Sequence, residues 1–170
     1  MTKFTVREEF PIGAAELVQL LNDPEYIAWM VGRHQRSTRE ILSSEDRDGA
    51  IHRSIKVTMR VDLPGPVARA LNATNGVSWI EHSVEQRTDG ATQWWCDSLV
   101  AAEKIDARGT LGVESLGTSR SRRIMTGDIK VSIFGVGGAI EKMISEGIQK
   151  GFASANRDLH VWLAQQKESK

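Results

Sequence analysis

The chain has 170 residues with 22 Lys+Arg against 22 Asp+Glu and 40% hydrophobic residues, the profile of one domain large enough to bury a full core without a disulfide or structural metal. A formal charge of +0 removes the field that drives bulk binding to nucleic acid and leaves at most transient contact with a membrane. The single Cys96 excludes an intramolecular disulfide and fits a reducing compartment. Charges recur every few residues from Met1 to Phe10, unlike a secretory signal, and no run approaches the roughly 20 apolar residues of a membrane span. A cytoplasmic protein is expected.

Phe4, Val6 and Phe10 share a parity, with charged residues between them, and predict a half-exposed strand ending at Pro11. Leu17, Val18, Leu20 and Leu21 then predict a short amphipathic helix. Asn22 or Asp23 caps a second one, with Pro24 in its first turn and Gly32 as its stop. Beyond it the turn signals Asp48-Gly49, Asn75-Gly76, Asp89-Gly90, Gly117-Thr118 and Gly127-Asp128 divide the chain into about six strands. Ile51, Ile55, Val57, Met59 and Val61 alternate with polar residues, so one face of this meander is apolar and the other wet. Leu63-Pro64-Gly65-Pro66 interrupts it before a helical turn spanning Val67 to Leu71. From Gly138 to about Gln165 apolar residues recur at helical spacing, including Ile140, Met143, Ile144, Gly147, Gly151, Phe152, Leu159 and Trp162. They predict one long helix lying on the apolar face of the sheet. Residues 1–165 read as a single domain and residues 166–170 as a polar tail.

A two-residue turn at Asp89-Gly90 places Trp79, Glu81, Ser83 and Glu85 on one face with Trp94, Cys96, Ser98 and Val100. A second such turn at Ala102-Glu103 pairs Val100 with Ile105, Cys96 with Gly109 and Trp94 with Leu111, and sets Asp97 against Arg108 as an exposed charge couple. Under the long helix the tryptophans then lie beside the small Ala107 and Gly109, a floor with room for a ligand. Met125, Ile129, Val131 and Ile133 turn inward in the last strand. Gly147 and Gly151 on the helix stripe mark either close packing against the sheet or space for a ligand.

The run from Phe10-Pro11-Ile12-Gly13 through Asn22-Asp23-Pro24-Glu25-Tyr26 to Trp29, with the order strand, two short helices, about six strands and a long helix, resembles the START-like (SRPBCC) superfamily, also called polyketide cyclase and Bet v 1-like. Gly135 to Met143 is similar to a bacterial branch of these domains. The resemblance implies an α+β helix-grip fold, a curved antiparallel sheet of about seven strands wrapped around a long C-terminal helix, with two short helices after the first strand. It also implies an apolar cavity between helix and sheet, where many such domains bind lipids, sterols or polyketides. It transfers no catalytic residue.

The expected ligand-contact residues are Trp29, Trp79, Glu81, Trp94, Ser98, Leu111, Met125, Ile140, Met143, Ile144, Gly147 and Phe152. Aromatic and thioether side chains suit an apolar pocket, and Glu81, Ser83 or Ser98 would orient a polar end. The leading function is non-catalytic binding or transport of a hydrophobic small molecule, a lipid or a polyketide-like compound. The alternatives are a cyclase- or hydratase-like enzyme with Glu81 as acid or base, and a protein-interaction module with a filled core. That module would make contact through Trp95 or the cluster Ser119-Arg120-Ser121-Arg122-Arg123. No cofactor is expected. His34, His52 and His160 lack metal-ligand spacing, and Gly135-Val136-Gly137-Gly138 lacks the Lys-Ser/Thr of a phosphate cradle. Cys96 reads as a structural thiol, His82 beside Asp97 lies on the wet face, and the arginine cluster reads as a strand end neutralised by its neighbours.

Overall fold

A computed structural model describes residues 1–33, 37–73 and 76–169, so His34, Asn75 and Lys170 lie outside the described residues. Strand β1 (Thr2–Phe10) leads into helices α1 (Ala14–Leu21) and α2 (Pro24–Val31). Asp23 starts α2 by accepting from the backbone N–H groups of Glu25 and Tyr26 at 2.8 and 3.0 Å. Pro24 follows at a position whose missing amide hydrogen would have had no partner. Strands β2 (Ser37–Arg47) and β3 (Ala50–Met59), helix α3 (Gly65–Leu71) and strands β4 (Val77–Gln86), β5 (Thr92–Ser98), β6 (Ile105–Ser115) and β7 (Ser121–Val131) follow. The last element, α4 (Gly137–Glu168), has 32 residues and is about 48 Å long. It takes Gln166, Lys167 and Glu168 of the expected tail into the helix. Among the described residues no helix is long and apolar enough to cross a membrane.

All seven strands form one antiparallel sheet in the order β1-β7-β6-β5-β4-β3-β2. The first strand pairs with the last, and the meander runs outward to an edge at β2. This is the α+β helix-grip arrangement expected from the element order.

Asp48-Gly49 forms a two-residue hairpin turn, both residues at positive φ (54° and 76°), with Arg47 opposite Ala50. Asp89-Gly90 does not. There the Gln86 amide bonds to the Ala91 carbonyl at 2.9 Å and closes a four-residue loop, Arg87 to Gly90. The Asp89 carboxylate accepts from the Ala91 N–H at 2.9 Å. Val18 of α1 seats on Gly90, about where a Cβ would lie at 3.0 Å. The β5–β6 connection is longer too, with Ala101 and Glu103 at φ 48° and 66°, and it leaves Val100 and Ile105 unpaired with each other. Both registers therefore sit two residues from the expected one: Glu81 faces Cys96, Cys96 faces Ala107, Trp94 faces Gly109, and Leu111 faces Thr92. Asp97 lies opposite Asp106 rather than Arg108, and Arg108 turns to Asp106. A slip of two preserves parity, so every side chain keeps the face assigned to it.

Two clusters fill the space under α4. One joins Phe4, Trp94, Ile129 and Ile140 to Val67 and Leu71 of α3. The other joins Phe10, Leu17, Tyr26 and Leu159 at the end roofed by α1 and α2. Between them the β7 parity carries Met125, Ile129 and Val131 to the inner face, as the sequence pattern expects, and with them Ser121, Arg123 and Gly127.

Candidate ligand cleft

The floor beside Gly109 is closed. Trp94 lies over Gly109, where a Cβ would come within 2.7 Å of its Cζ2, and the Phe4 ring occupies the space in front of Gly127. The two glycines and Ala107 are small because aromatic rings lie on them, which corrects the expectation of an unfilled floor there. Ile140 is fully buried in the same cluster, and Leu111, Met125, Met143 and Ile144 pack against it half-buried.

Open space lies on the other half of the sheet. Helix α4 packs chiefly against β7 and β1, and β4 is part-exposed along almost its whole length while β2 is exposed. Trp79, Glu81 and Ser83 share the inner face of β4 and are half-exposed on it. Ile140, Gly147, Gly151 and Asp158 fall within about 20° of one line along α4, at roughly 3.6 residues per turn. Ile140 is covered by the cluster that includes α3, and Asp158 by Arg33 just beyond α2, at 3.2 Å. At Gly147 and Gly151 a Cβ would meet nothing within 4 Å. The strip of α4 at Gly147 and Gly151 is therefore bare and exposed to solvent, and these glycines are not sites of close packing against the sheet.

Polar groups stand on the open floor. Arg39 of β2 donates to Glu81 at 2.8 Å, their side chains 47% and 37% exposed. Glu81 is thus an ion-pair partner on a wet strand, not an isolated carboxyl in an apolar pocket. One step along, Asn22 donates to Glu85 at 2.7 Å and Arg53 donates to Glu85 at 2.8 Å, a three-residue link that holds the end of α1 over β3 and β4. The Ser98 hydroxyl donates to the carbonyl of Val100 in its own loop.

Trp29 belongs to the α2 end, with its ring 5.3 Å from Trp162 and the Arg33 guanidinium 4.6 Å above it. Phe152 belongs to the belt between the two clusters. Its ring lies 5.1 Å beneath the guanidinium of Arg123. Arg123 is 8% exposed and donates from Nη1 to Asn156 at 2.6 Å. Burial pushes it down to about 10, partly countered by the Tyr26 phenol. The sequence reading had this residue in the arginine cluster. Arg120 and Arg122 do pair with Glu9 on the outer face, but Arg123 has the parity of Met125 and Ile129 and turns inward. That parity is a signal the sequence carries and the charge of the cluster obscures.

On the outer face Ser54 Oγ lies 2.9 Å from His82 Nδ1, His82 Nε2 lies 2.9 Å from Asp97, and Trp95 stacks on the imidazole at 5.2 Å. These three residue types also make hydrolytic triads. Here they stand on a flat ladder whose amides are committed to strand pairing, which leaves no donors for an oxyanion. Trp95 is 39% exposed. Among the described residues no cluster of His, Cys, Asp and Glu is placed to hold a metal ion.

Burial, followed by the Glu81 carboxylate, pushes the Cys96 thiol up to about 12. Below pH 9 the thiolate fraction is then about a thousandfold lower than in the unfolded chain. Alkylation by iodoacetamide at pH 8, followed by mass, is expected to be slower in the native protein by about that factor. Equal rates with and without urea would show an open thiol.

No curated protein sequence matches the chain. Among solved structures, a Thermus thermophilus protein superposes with a TM-score of 0.62 at 14% identity, covering 93% of this chain and 94% of that one. A Streptomyces aromatase/cyclase gives 0.59 at 13% identity, over 91% and 88% of the two chains. A START superfamily protein from Mycobacterium smegmatis gives 0.54 at 12%, over 94% and 98%. Likeness at this identity shows the fold, and the fold is START-like. The sequence matches, over residues 5–163, the family described as protein of unknown function (DUF2505), and the chain belongs to that family.

Proposed function

We propose that the protein binds an elongated hydrophobic small molecule, without transforming it, in the cleft between the bare strip of α4 and the inner face of β3 and β4. The observation that carries this reading is the open space at Gly147 and Gly151. A glycine in an exposed helix interior costs about 1 kcal/mol relative to alanine, and two on one line, uncovered between two covered positions, are accounted for by an occupant. Trp79 on one side and Ile148 on the other supply apolar area, worth about 25 cal/mol per Å² on burial. Access would run between α2 and α3. The aromatase/cyclase likeness supports the same kind of occupant, whereas the ion pair of Glu81 with Arg39 argues against Glu81 as a general acid.

Gly147→Leu is expected to fill the strip, keep the fold, and weaken binding of decan-1-ol by about tenfold or more, read from the fluorescence of Trp79 and its neighbours. Native mass spectrometry of the purified protein should show a stoichiometric apolar ligand in the wild type and less of it in the variant. Unchanged affinity in Gly147→Leu would remove the cleft from consideration.

A further inference from the structure

We propose that the occupant is an acid, and that Arg123 receives its carboxylate. This rests on the cleft reading above and specifies the ligand class. Arg123 is a cation buried on the inner face, and its Nη1 is held by Asn156 at 2.6 Å while Phe152 supports the guanidinium plane at 5.1 Å. Its Nε is buried and has no hydrogen-bond partner. Among the described residues no carboxylate lies within ion-pair distance. The carboxylates around it are turned elsewhere: Glu8, its cross-strand neighbour on β1, reaches His160 at 2.9 Å, and Glu9 reaches Arg120 and Arg122 on the far face. Asp158 holds Arg33 at 3.2 Å.

A buried charge without a counter-ion is costly, and protein interiors pair it or coordinate it. Here the pairing group is missing while the orientation is already fixed, with one edge of the guanidinium clamped and the Nε edge left over. That edge is the one a carboxylate takes side-on, with two parallel N–H donors. Phe152 follows Gly151 in α4 and turns about 100° from it, under the helix toward β7, so a chain lying along the strip meets Arg123 by turning its terminal group beneath α4. Trp94 supplies a second buried N–H without a partner on the same inner face. The Ser121 hydroxyl, also buried there without a partner, can donate to the same ligand acceptor.

The test compares decanoic acid with decan-1-ol, the same chain with and without the charge. Wild-type protein is expected to bind the acid at least tenfold more tightly at pH 7.5. In Arg123→Met that preference should fall to within twofold, with alcohol affinity retained. A measurement that needs no variant is the Arg123 Nε–H resonance in a 15N-labelled sample, which decanoate should shift and decanol should not. Equal binding of acid and alcohol by the wild type, or an acid preference that survives Arg123→Met, overturns the assignment of Arg123 and leaves the hydrophobic cleft standing. Failure of both compounds to bind overturns the cleft reading itself.

Discussion

Gly109→Ala is expected to destabilise the protein by about 3 kcal/mol, the upper end of what one added methyl group does to a packed core. The new Cβ would sit inside the van der Waals shell of the Thr126 carbonyl oxygen, 2.8 Å from its carbon and 2.7 Å from Trp94 Cζ2. Neither neighbour has room to give. Thr126 belongs to a continuous β6–β7 ladder in which Gly109 faces Gly127, and Trp94 is packed into the buried cluster with Phe4, Ile129 and Ile140. The control is Gly112→Ala, on the opposite face of the same strand, where a Cβ meets nothing within 4 Å; it should change stability by less than about 0.5 kcal/mol. Urea midpoints at equal m-value read both. Equal midpoints would mean that Trp94 does not lie on Gly109, and the closed floor would have to be abandoned.

The same glycine illustrates how far the sequence could be read. Alternation identified the inner face, and it held through two wrong hairpin registers because both errors were of two residues. Asp48-Gly49 follows the local rule for a two-residue turn, and no side chain is pressed onto Gly49. Asp89-Gly90 departs from that rule because α1 presses Val18 onto Gly90, a contact made by residues distant in sequence. The helix elements were legible from their caps, Asp23 and Pro24 above all. For the candidate cleft the sequence offers two places, the floor beside Gly109 and the glycines of α4. Small residues at Ala107 and Gly109 look like space in a sequence, yet they are where Trp94 and Phe4 lie. Real space sits at Gly147 and Gly151, and it depends on which strands α4 covers, which periodicity along one chain segment does not encode. Glu81 faces inward as expected, but its partner Arg39 lies beyond a register shift between Ile41 and Ser43 of β2, which the Asp48-Gly49 turn does not encode. Arg123 could have been assigned by parity, had its charge not drawn it into the surface cluster.

Leu159→Ala is expected to lower stability by about 3–4 kcal/mol, the middle to upper part of the range for a buried leucine. Leu159 is fully buried against Phe10, Leu17 and Tyr26, so its side chain joins α4 to β1, α1 and α2 at once. How much such a cavity costs depends on whether the walls can collapse into it, and these walls are stiff. Tyr26 packs edge-on against Trp162 at 5.7 Å, Trp162 against Trp29 at 5.3 Å, and Phe10 is stacked on His160 at 4.6 Å. The consequence extends beyond the global loss. Few contacts besides this cluster, the Arg33–Asp158 pair and the Asn22–Glu85–Arg53 link fasten α1 and α2 to the rest. Hydrogen exchange in those helices should therefore accelerate in Leu159→Ala by more than it does in β6 and β7, whose ladder and Trp94 cluster are untouched. Uniform acceleration would mean that the helical roof and the sheet open as one unit.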